Sequence, residues 1–227
     1  MVNAKKLELI EIENKKPSEF SVIWLHGLGA DGNDFVPIID ELDLHSHPGI
    51  KFIFPTARTI PITINGNVPM NAWYDIYELS SDKNEDKNGI KISQRLIEEL
   101  IQNEINNGRP SEKIFLAGFS QGCAMTLQTG LRYKKKLAGL ICLSGYLPLK
   151  ETILNEKNII NQYIPIFFAH GINDNIINIE KARNSFKILK NLNYQIDWYE
   201  YEMEHSVCAE EISDLNEWLK KLLVLGR

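Results

Sequence analysis

The stretch Lys113-Ile-Phe-Leu-Ala-Gly-Phe-Ser-Gln-Gly-Cys-Ala-Met125 decides the fold. Its first part, residues 114–117, is a short apolar run with β-branched and aromatic side chains, which predicts a buried strand. Gly118-Phe-Ser-Gln-Gly122 follows as a complete G-x-S-x-G, and residues 123–133 predict a helix. The two glycines allow a sharp turn between strand and helix, so that Ser120 stands exposed at the strand's end. This context predicts a nucleophile elbow.

Strands and helices alternate on both sides of this stretch. Apolar runs predict further strands at residues 20–25, 50–54, 140–143 and 165–169, and alternation of apolar with polar residues predicts strands at 7–12 and 194–201. Helical periodicity predicts helices at 35–42, 90–105, 179–192 and 206–223. The alternation predicts an α/β protein with a mainly parallel, twisted sheet covered by helices on both faces. Because no repeat, low-complexity tract or linker interrupts residues 1–227, we expect a single domain. In such a sheet, sites lie at the carboxyl ends of the strands.

Charge and cysteine content narrow the range of partners and compartments. The net charge of −5 and the absence of a basic tract argue against a nucleic-acid partner. Three scattered cysteines fit a reducing compartment better than a disulfide framework. The first residues carry no secretory signal, and no apolar run approaches transmembrane length. We therefore expect a cytoplasmic protein.

A serine nucleophile needs a base, and the base needs an acid that orients it. The chain order expected for this kind of elbow is nucleophile, acid, histidine. His205 follows the last predicted strand and precedes the last helix, where a loop brings it over Ser120. Asp174 follows a buried strand and is the predicted acid. The competing acids are Asp197, Glu200 and Glu202, which an alternating strand normally turns toward solvent.

Two further groups are needed to stabilise negative charge on the substrate, as an oxyanion hole. One predicted donor is the backbone N–H of Gln121, the residue after the nucleophile. The other should come from a glycine-rich loop after an early strand. His26-Gly-Leu-Gly29 is such a loop. We therefore predict the backbone N–H of Leu28 as the second donor.

Three different sites would compete with this interpretation. Gly27, Gly29 and Gly32 match the G-x-G-x-x-G dinucleotide fingerprint, but residues 52–58 lack the acidic residue that would hold the ribose. A metal site could involve His45, His47 and Asp43, although a solvated turn is the more common explanation of such a pattern. Cys123 and Cys208 flank the site, but neither occupies the central position of the elbow. We expect no cofactor and no metal.

Six ordered motifs together resemble one known family. They are Trp24-Leu-His-Gly-Leu-Gly-Ala-Asp-Gly32, Asn71-Ala-Trp-Tyr-Asp75, Gly118–Gly122, Leu143-Ser-Gly-Tyr-Leu-Pro148, His170-Gly-x-x-Asp174 and His205. This set is similar to the acyl-protein thioesterase and carboxylesterase family, α/β-hydrolases without a large lid domain. The resemblance implies a triad of Ser120, Asp174 and His205 and an oxyanion hole of Leu28 and Gln121. It also implies that Trp73 and Ile176 line the acyl site.

The resemblance also carries an expected activity. The family hydrolyses carboxylic esters, lysophospholipids and thioesters of lipidated proteins, so we expect a serine hydrolase and an acyl ester or thioester substrate. A non-catalytic lipid-binding or partner-binding module on the same scaffold is the alternative. Two departures are visible: Cys123 replaces a common glycine, and Asn175 replaces a common proline beside Asp174. We expect a monomer or a weak homodimer.

The segment 56–75 is apolar without a steady period. Its apolar side chains include Ile60, Ile62, Ile64, Val68, Met70 and Trp73. Pro61, Pro69 and Gly66 argue against regular strands, so we expect a long loop. We predict that the loop, with Val68 and Met70, forms the wall of an acyl pocket and docks peripherally on membranes. The alternative is that its side chains are buried in the core.

Overall fold

The computed structural model describes residues 6–78 and 84–225. Nine strands are formed within them: β1 (Glu8–Glu13), β2 (Ser18–Leu25), β3 (Gly49–Thr56), β4 (Thr59–Ile62), β5 (Val68–Asn71), β6 (Ile114–Phe119), β7 (Gly139–Leu143), β8 (Ile166–Gly171) and β9 (Ile196–Tyr201). Six α-helices accompany them: α1 (Ile38–Glu41), α2 (Lys87–Asn106), α3 (Gln121–Gly130), α4 (Ile153–Glu156), α5 (Ile179–Asn191) and α6 (Ala209–Leu225). The polar composition of residues 80–88 predicts a solvated segment, which lies partly outside the described residues.

Seven strands form one sheet in the order β1-β3-β2-β6-β7-β8-β9. The six strands from β3 to β9 run parallel, and only β1 pairs antiparallel, at one edge. The sheet therefore confirms the predicted α/β class. Strand β6, which ends at the elbow, lies in the middle of this order, so its carboxyl end is flanked by the ends of β2 and β7.

Each face of the sheet is covered by its own apolar cluster and its own helices. Side chains of α2, α3 and α5 join one cluster, as Ile97, Met125 and Leu189 do. Side chains of α1 and α6 join the other, as Ile38 and Leu219 do. This two-sided burial explains why the central strands are continuously apolar rather than alternating.

The segment 56–75 differs from its prediction as an irregular loop. Strands β4 and β5 pair antiparallel as a hairpin, in which Pro61 faces Pro69 and Ile62 faces Val68. Because proline has no amide hydrogen, facing prolines fit where the ladder requires no donor from either strand. A 3₁₀ turn with left-handed Gly66 and Asn67 joins the two strands. The prediction of no regular strand here was wrong.

Smaller differences concern the ends of helices. The helix predicted at 35–42 is reduced to α1, and the helix after the elbow begins at Gln121 and ends at Gly130 rather than Tyr133. The helix α4 was not predicted.

Across residues 6–78 and 84–225, no helix combines the length and the apolar composition that crossing a membrane requires.

Candidate active site

The turn between β6 and α3 places Ser120 in a backbone conformation that few residues adopt. Its φ is +57° and its ψ is −118°, a combination that costs on the order of 1–3 kcal/mol. The two glycines of the motif make the turn possible. A Cβ at Gly118 would lie 2.3 Å from the backbone of Gly122, and a Cβ at Gly122 would lie 2.1 Å from the Leu25 carbonyl oxygen. Glycine is therefore required by close approach at both positions.

The loops that follow β8 and β9 are joined to each other by backbone hydrogen bonds. The Ile172 N–H donates to the Tyr201 carbonyl at 2.8 Å, and the Asn173 N–H donates to the Met203 carbonyl at 3.1 Å. A Cβ at Gly171 would lie 2.4 Å from the Met203 oxygen. The close contact of the two loops brings the predicted acid, in one loop, beside the predicted base, in the other.

Ser120, His205 and Asp174 form a continuous chain of hydrogen bonds. The Ser120 Oγ lies 2.8 Å from His205 Nε2, and His205 Nδ1 lies 2.6 Å from Asp174 Oδ2. A carboxylate only accepts, so Nδ1 carries the hydrogen and Nε2 is free to accept from the hydroxyl. The Phe119 ring lies 4.8 Å from the His205 ring, centroid to centroid. This arrangement suits proton transfer from Ser120 to His205.

Asp174 is buried, and both of its oxygens are hydrogen-bonded. Oδ1 accepts from the Ile176 and Ile177 amides at 2.9 and 2.8 Å. Oδ2, which accepts from His205, also lies 3.2 Å from His170 Nε2. The turn closes with Asn175 in the position where the resembling family commonly has proline. The departure at Asn175 therefore coexists with a carboxylate held by two backbone donors.

His170 is a buried histidine to which the sequence patterns assigned no role. Its Nε2 donates to the Ile177 carbonyl at 2.7 Å, on the loop that holds Asp174. Burial lowers the pKa of His170, although the Ile177 carbonyl and Asp174 oppose that shift. The His170 ring is therefore neutral near pH 7, and its hydrogen bond to the Ile177 carbonyl holds the loop that carries Asp174.

The loop after β2 brings the other predicted donor to the elbow. Within the described part of the chain, neither the Leu28 nor the Gln121 backbone N–H donates a hydrogen bond. The Gly29 N–H donates to the Asn71 carbonyl at 2.8 Å, and Gly29 itself has a φ of +82°. Asn71, at the end of β5, also donates through Nδ2 to the Ala30 carbonyl at 3.1 Å. The hairpin thus holds the loop that carries Leu28.

His26 holds the same loop from beneath. It is buried, its Nδ1 donates to the Gly27 carbonyl at 2.6 Å, and its Nε2 accepts from the Ala57 N–H at 2.9 Å. Only the neutral ring with hydrogen on Nδ1 satisfies both contacts. Burial lowers the pKa of His26, against the opposing effect of the Gly27 carbonyl.

The predicted acyl-site residues differ in exposure. Val68 and Ile176 are 55% and 51% exposed, so both offer apolar surface. Met70 is half-buried, and its Cε would lie 2.7 Å from a Cβ at Gly29. Trp73 is only 2% exposed, and its Nε1 donates to the His26 carbonyl at 2.9 Å. Trp73 therefore lies in the interior beside the loop that carries Leu28 and offers almost no exposed surface to an acyl chain.

The competing acids have other partners. Asp197 accepts from Trp218 Nε1 at 2.9 Å, Glu200 pairs with Arg183 at 2.6 Å, and Glu202 accepts from Asn173 at 3.2 Å. None of the three is bonded to His205.

The glycine motif, the histidine pair and the cysteines each have a defined place in the structure. The helix after the glycine loop starts only at Ile38, so no helix begins at the G-x-G-x-x-G motif. In residues 6–78 and 84–225, no group of three potential ligands is arranged to hold a metal. The three cysteines are free. Cys123 is fully buried, while Cys208 is half-buried.

A mainly parallel sheet with a serine elbow at the end of a central strand defines an α/β-hydrolase. The family model described as phospholipase/carboxylesterase matches residues 7–223, and the chain belongs to that family. The predicted resemblance is therefore confirmed.

Individual relatives agree with this assignment. Acyl-protein thioesterase 1 of Yarrowia lipolytica is 39% identical over 217 residues, which cover 93% of this chain and 96% of the relative. Among solved structures, Arabidopsis thaliana SOBER1 matches with a TM-score of 0.85 at 28% identity, over 90% of this chain and 99% of that protein. Acyl-protein thioesterase 2 of Zea mays matches with a TM-score of 0.81 at 27% identity, over 95% and 99%.

Three polar residues near the site were not predicted from the sequence: the buried His26 and His170 and the half-buried Asn71. The sequence did contain a clue to the two histidines. Each stands at the end of an apolar strand and is followed by glycine, as His26-Gly27 and His170-Gly171. A polar side chain at the end of a buried strand must find a hydrogen-bond partner, and here the partner is the functional loop itself.

Proposed function

We propose that the protein is a serine hydrolase that cleaves carboxylic esters or thioesters of acyl chains through an acyl-enzyme on Ser120. The observation that carries the proposal is the hydrogen-bond chain from Ser120 through His205 to Asp174, at 2.8 and 2.6 Å. Membership of the phospholipase/carboxylesterase family supports it. The relatives' name, acyl-protein thioesterase, supports an acyl substrate.

In the first step, Ser120 Oγ attacks the carbonyl carbon of the substrate. His205 Nε2 takes the hydroxyl proton, so the attacking oxygen becomes more nucleophilic as the bond forms. Asp174 stabilises the resulting imidazolium and keeps its Nδ1–H oriented. The carbonyl oxygen becomes an oxyanion, which accepts from the Leu28 and Gln121 backbone N–H groups. The N-terminus of α3 adds a favourable field for that charge.

In the second step, the tetrahedral intermediate collapses to an acyl-enzyme. The imidazolium of His205 protonates the departing oxygen or sulfur, which leaves as an alcohol or a thiol. Water then enters and loses a proton to His205 as it attacks the acyl carbon. Ser120 Oγ departs with that proton and the carboxylic acid is released, so that the starting protonation states are restored.

The acyl chain lies, in this proposal, against exposed apolar surface beside the elbow. Val68, Met70 and Ile176 supply that surface, while Trp73 contributes only from below because it is almost fully buried. The outward apolar side chains of the β4–β5 hairpin are also the proposed peripheral contact with membranes. The membrane contact therefore depends on the hairpin, whereas the acyl surface also includes Ile176 on the loop that holds Asp174.

The proposal is tested by labelling with a fluorophosphonate probe, which reacts with an activated serine. We expect stoichiometric labelling of wild type at Ser120 and no labelling of Ser120→Ala, together with loss of ester hydrolysis in a folded variant. A non-catalytic binding module would remain unlabelled while keeping lipid or partner binding. Full activity of Ser120→Ala would overturn the proposal.

A further inference from the structure

The two predicted oxyanion donors come from loops far apart in sequence, Leu28 after β2 and Gln121 after β6. Both must point at one oxygen atom, at distances of about 2.7–3.1 Å. We propose that a single segment, Trp73-Tyr74, fixes the spacing between them. The positioning groups are the Trp73 indole and backbone, the Tyr74 carbonyl, the Gln121 side chain and the His26 backbone; together we call them the Trp73 clamp. This inference rests on the proposed function.

One arm of the clamp holds the elbow. The Gln121 side chain is buried and bonds to the backbone of two consecutive residues, Trp73 and Tyr74. Its Oε1 accepts from the Trp73 backbone N–H at 2.9 Å, and its Nε2 donates to the Tyr74 carbonyl at 2.8 Å. The backbone N–H of the same residue is the predicted oxyanion donor. The side chain therefore fixes the position of its own main chain relative to Trp73.

The other arm holds the loop that carries Leu28. The Trp73 Nε1 donates to the His26 carbonyl at 2.9 Å, and His26 directly precedes Gly27 and Leu28. The His26 ring bonds the Gly27 carbonyl and the Ala57 N–H, so the segment cannot rotate without breaking both contacts. The Trp73 ring lies 5.4 Å from the His26 ring, centroid to centroid.

The clamp is anchored outside the site. Ser93 on α2 donates to the Trp73 carbonyl, and a buried segment with its N–H, its C=O and its indole N–H all bonded has little freedom to move. Because a displacement of about 1 Å can cost about 10²-fold in rate, severing either arm should weaken stabilisation of the oxyanion. Substrate binding in the ground state should change little, since the substrate carbonyl carries little charge.

Gln121→Met severs the first arm and keeps the backbone N–H and a similar side-chain volume. We expect kcat to fall about 10–100-fold, less than the about 10²–10³-fold loss of a whole donor, with KM within about twofold. The affinity for a trifluoromethyl ketone, which adds to the serine as a tetrahedral oxyanion, should fall by the same factor as kcat. A purely structural role would not couple these two losses.

Gln128→Met is the matched control. Gln128 lies on the same helix α3, is equally buried, and donates to Gln94 Oε1 at 2.9 Å, away from the site. We expect this variant to lose stability while kcat and ketone affinity stay at wild-type values. Equal losses of kcat in Gln121→Met and Gln128→Met would overturn the proposal, as would wild-type kcat in Gln121→Met.

Trp73→Phe tests the second arm and covers the case in which Gln121→Met does not fold. It removes the indole N–H bond to the His26 carbonyl and keeps a ring in place. We expect about 10-fold lower kcat and matched loss of ketone affinity; unchanged values overturn the role of this arm. Failure of the proposed function is distinguishable, because it would appear as hydrolysis that survives in Ser120→Ala or as wild-type protein that the fluorophosphonate probe does not label.

Discussion

At the carboxyl edge of the sheet, polar side chains are buried and held by backbone partners, whereas the β4–β5 hairpin carries no charged side chain and exposes Val68 and Ile64. The side chains at this edge are held in place because the strands that end there are covered by packed helices on both faces of the sheet. The hairpin is tied down at only a few points, such as Ile64 N–H to the Ile76 carbonyl at 2.9 Å. Changes at the edge should therefore alter the rate for every substrate, and changes at the hairpin should alter which substrate is preferred.

The largest effect is expected from removal of the base at the edge. His205→Ala should lower kcat by several orders of magnitude for a short p-nitrophenyl ester, because no other group accepts the Ser120 proton. The double variant with Ser120→Ala should lose little more, since the two residues act as a unit. Steady-state kinetics measure this. Additive losses in the double variant would contradict a shared role.

The next effect separates the acid from its neighbours. Asp174→Asn should lower kcat by about 10²–10⁴-fold, because the amide cannot stabilise the imidazolium. Asp197→Asn, which only loosens a contact with Trp218, and Glu202→Gln should remain near wild type. The three variants are compared on the same ester. A larger loss in Asp197→Asn than in Asp174→Asn would move the acid onto the last strand.

Acid pH should also act on the edge and not on the hairpin. Burial lowers the pKa of His26 and of His170 in the folded protein. Below the ordinary histidine pKa of about 6.5, these two histidines therefore bind more protons in the unfolded chain than they do in the folded protein. Their contribution to stability is present above that pH and is lost as pH falls through the folded-state values, at up to about 1.4 kcal/mol per pH unit for each histidine. Urea unfolding between pH 7.5 and 5 measures the slope.

Two variants test whether a buried histidine causes this slope of the unfolding free energy against pH. His170→Gln should make the dependence on pH shallower, whereas His45→Gln, at an exposed position, should leave it unchanged. The hairpin has no titrating side chain between residues 59 and 71, so the preference for acyl-chain length should stay constant over the same pH range. Identical slopes in the two variants would show that the buried ring is not responsible.

The same contrast explains what the sequence could predict. Ser120, Asp174 and His205 follow the predicted strands β6, β8 and β9, so local patterns were enough to propose them, and the structure brings them within hydrogen-bond distance. The hairpin was missed because Pro61 and Pro69 suggested a break. Its strands are possible only because the two prolines face each other, which no local pattern reveals.

The Gln121 side chain was missed for a different reason. Its bonds join residues 48 and 47 positions apart in the chain, to Trp73 and Tyr74. The sequence pattern pointed only to the backbone N–H of Gln121, because that role follows from the position after the nucleophile. A side-chain contact across such a separation depends on the packing of the hairpin's end against the elbow, which is a property of the tertiary structure.

The smallest expected effect distinguishes an exposed side chain of the hairpin from a buried one. Val68 and Ile62 face each other across the strands, yet Val68 is 55% exposed and Ile62 is fully buried. If the exposed Val68 side chain contacts the acyl chain, Val68→Ser should lower kcat/KM a few-fold for an octanoate ester and leave the acetate ester unchanged, because one methylene in contact contributes about 0.8 kcal/mol. The ratio of the two esters is the measurement.

Ile62→Ser is the matched control at the buried partner position. It should lower the free energy of unfolding by about 2–5 kcal/mol, because it removes buried apolar volume, and should leave the octanoate-to-acetate ratio unchanged. Liposome co-sedimentation tests the membrane contact separately, since Val68→Ser should weaken it and Ile62→Ser should not. An unchanged ratio and unchanged co-sedimentation in Val68→Ser would mean that Val68 contacts neither acyl chain nor membrane. The hairpin would then serve the enzyme through the contacts by which Asn71 holds the oxyanion loop.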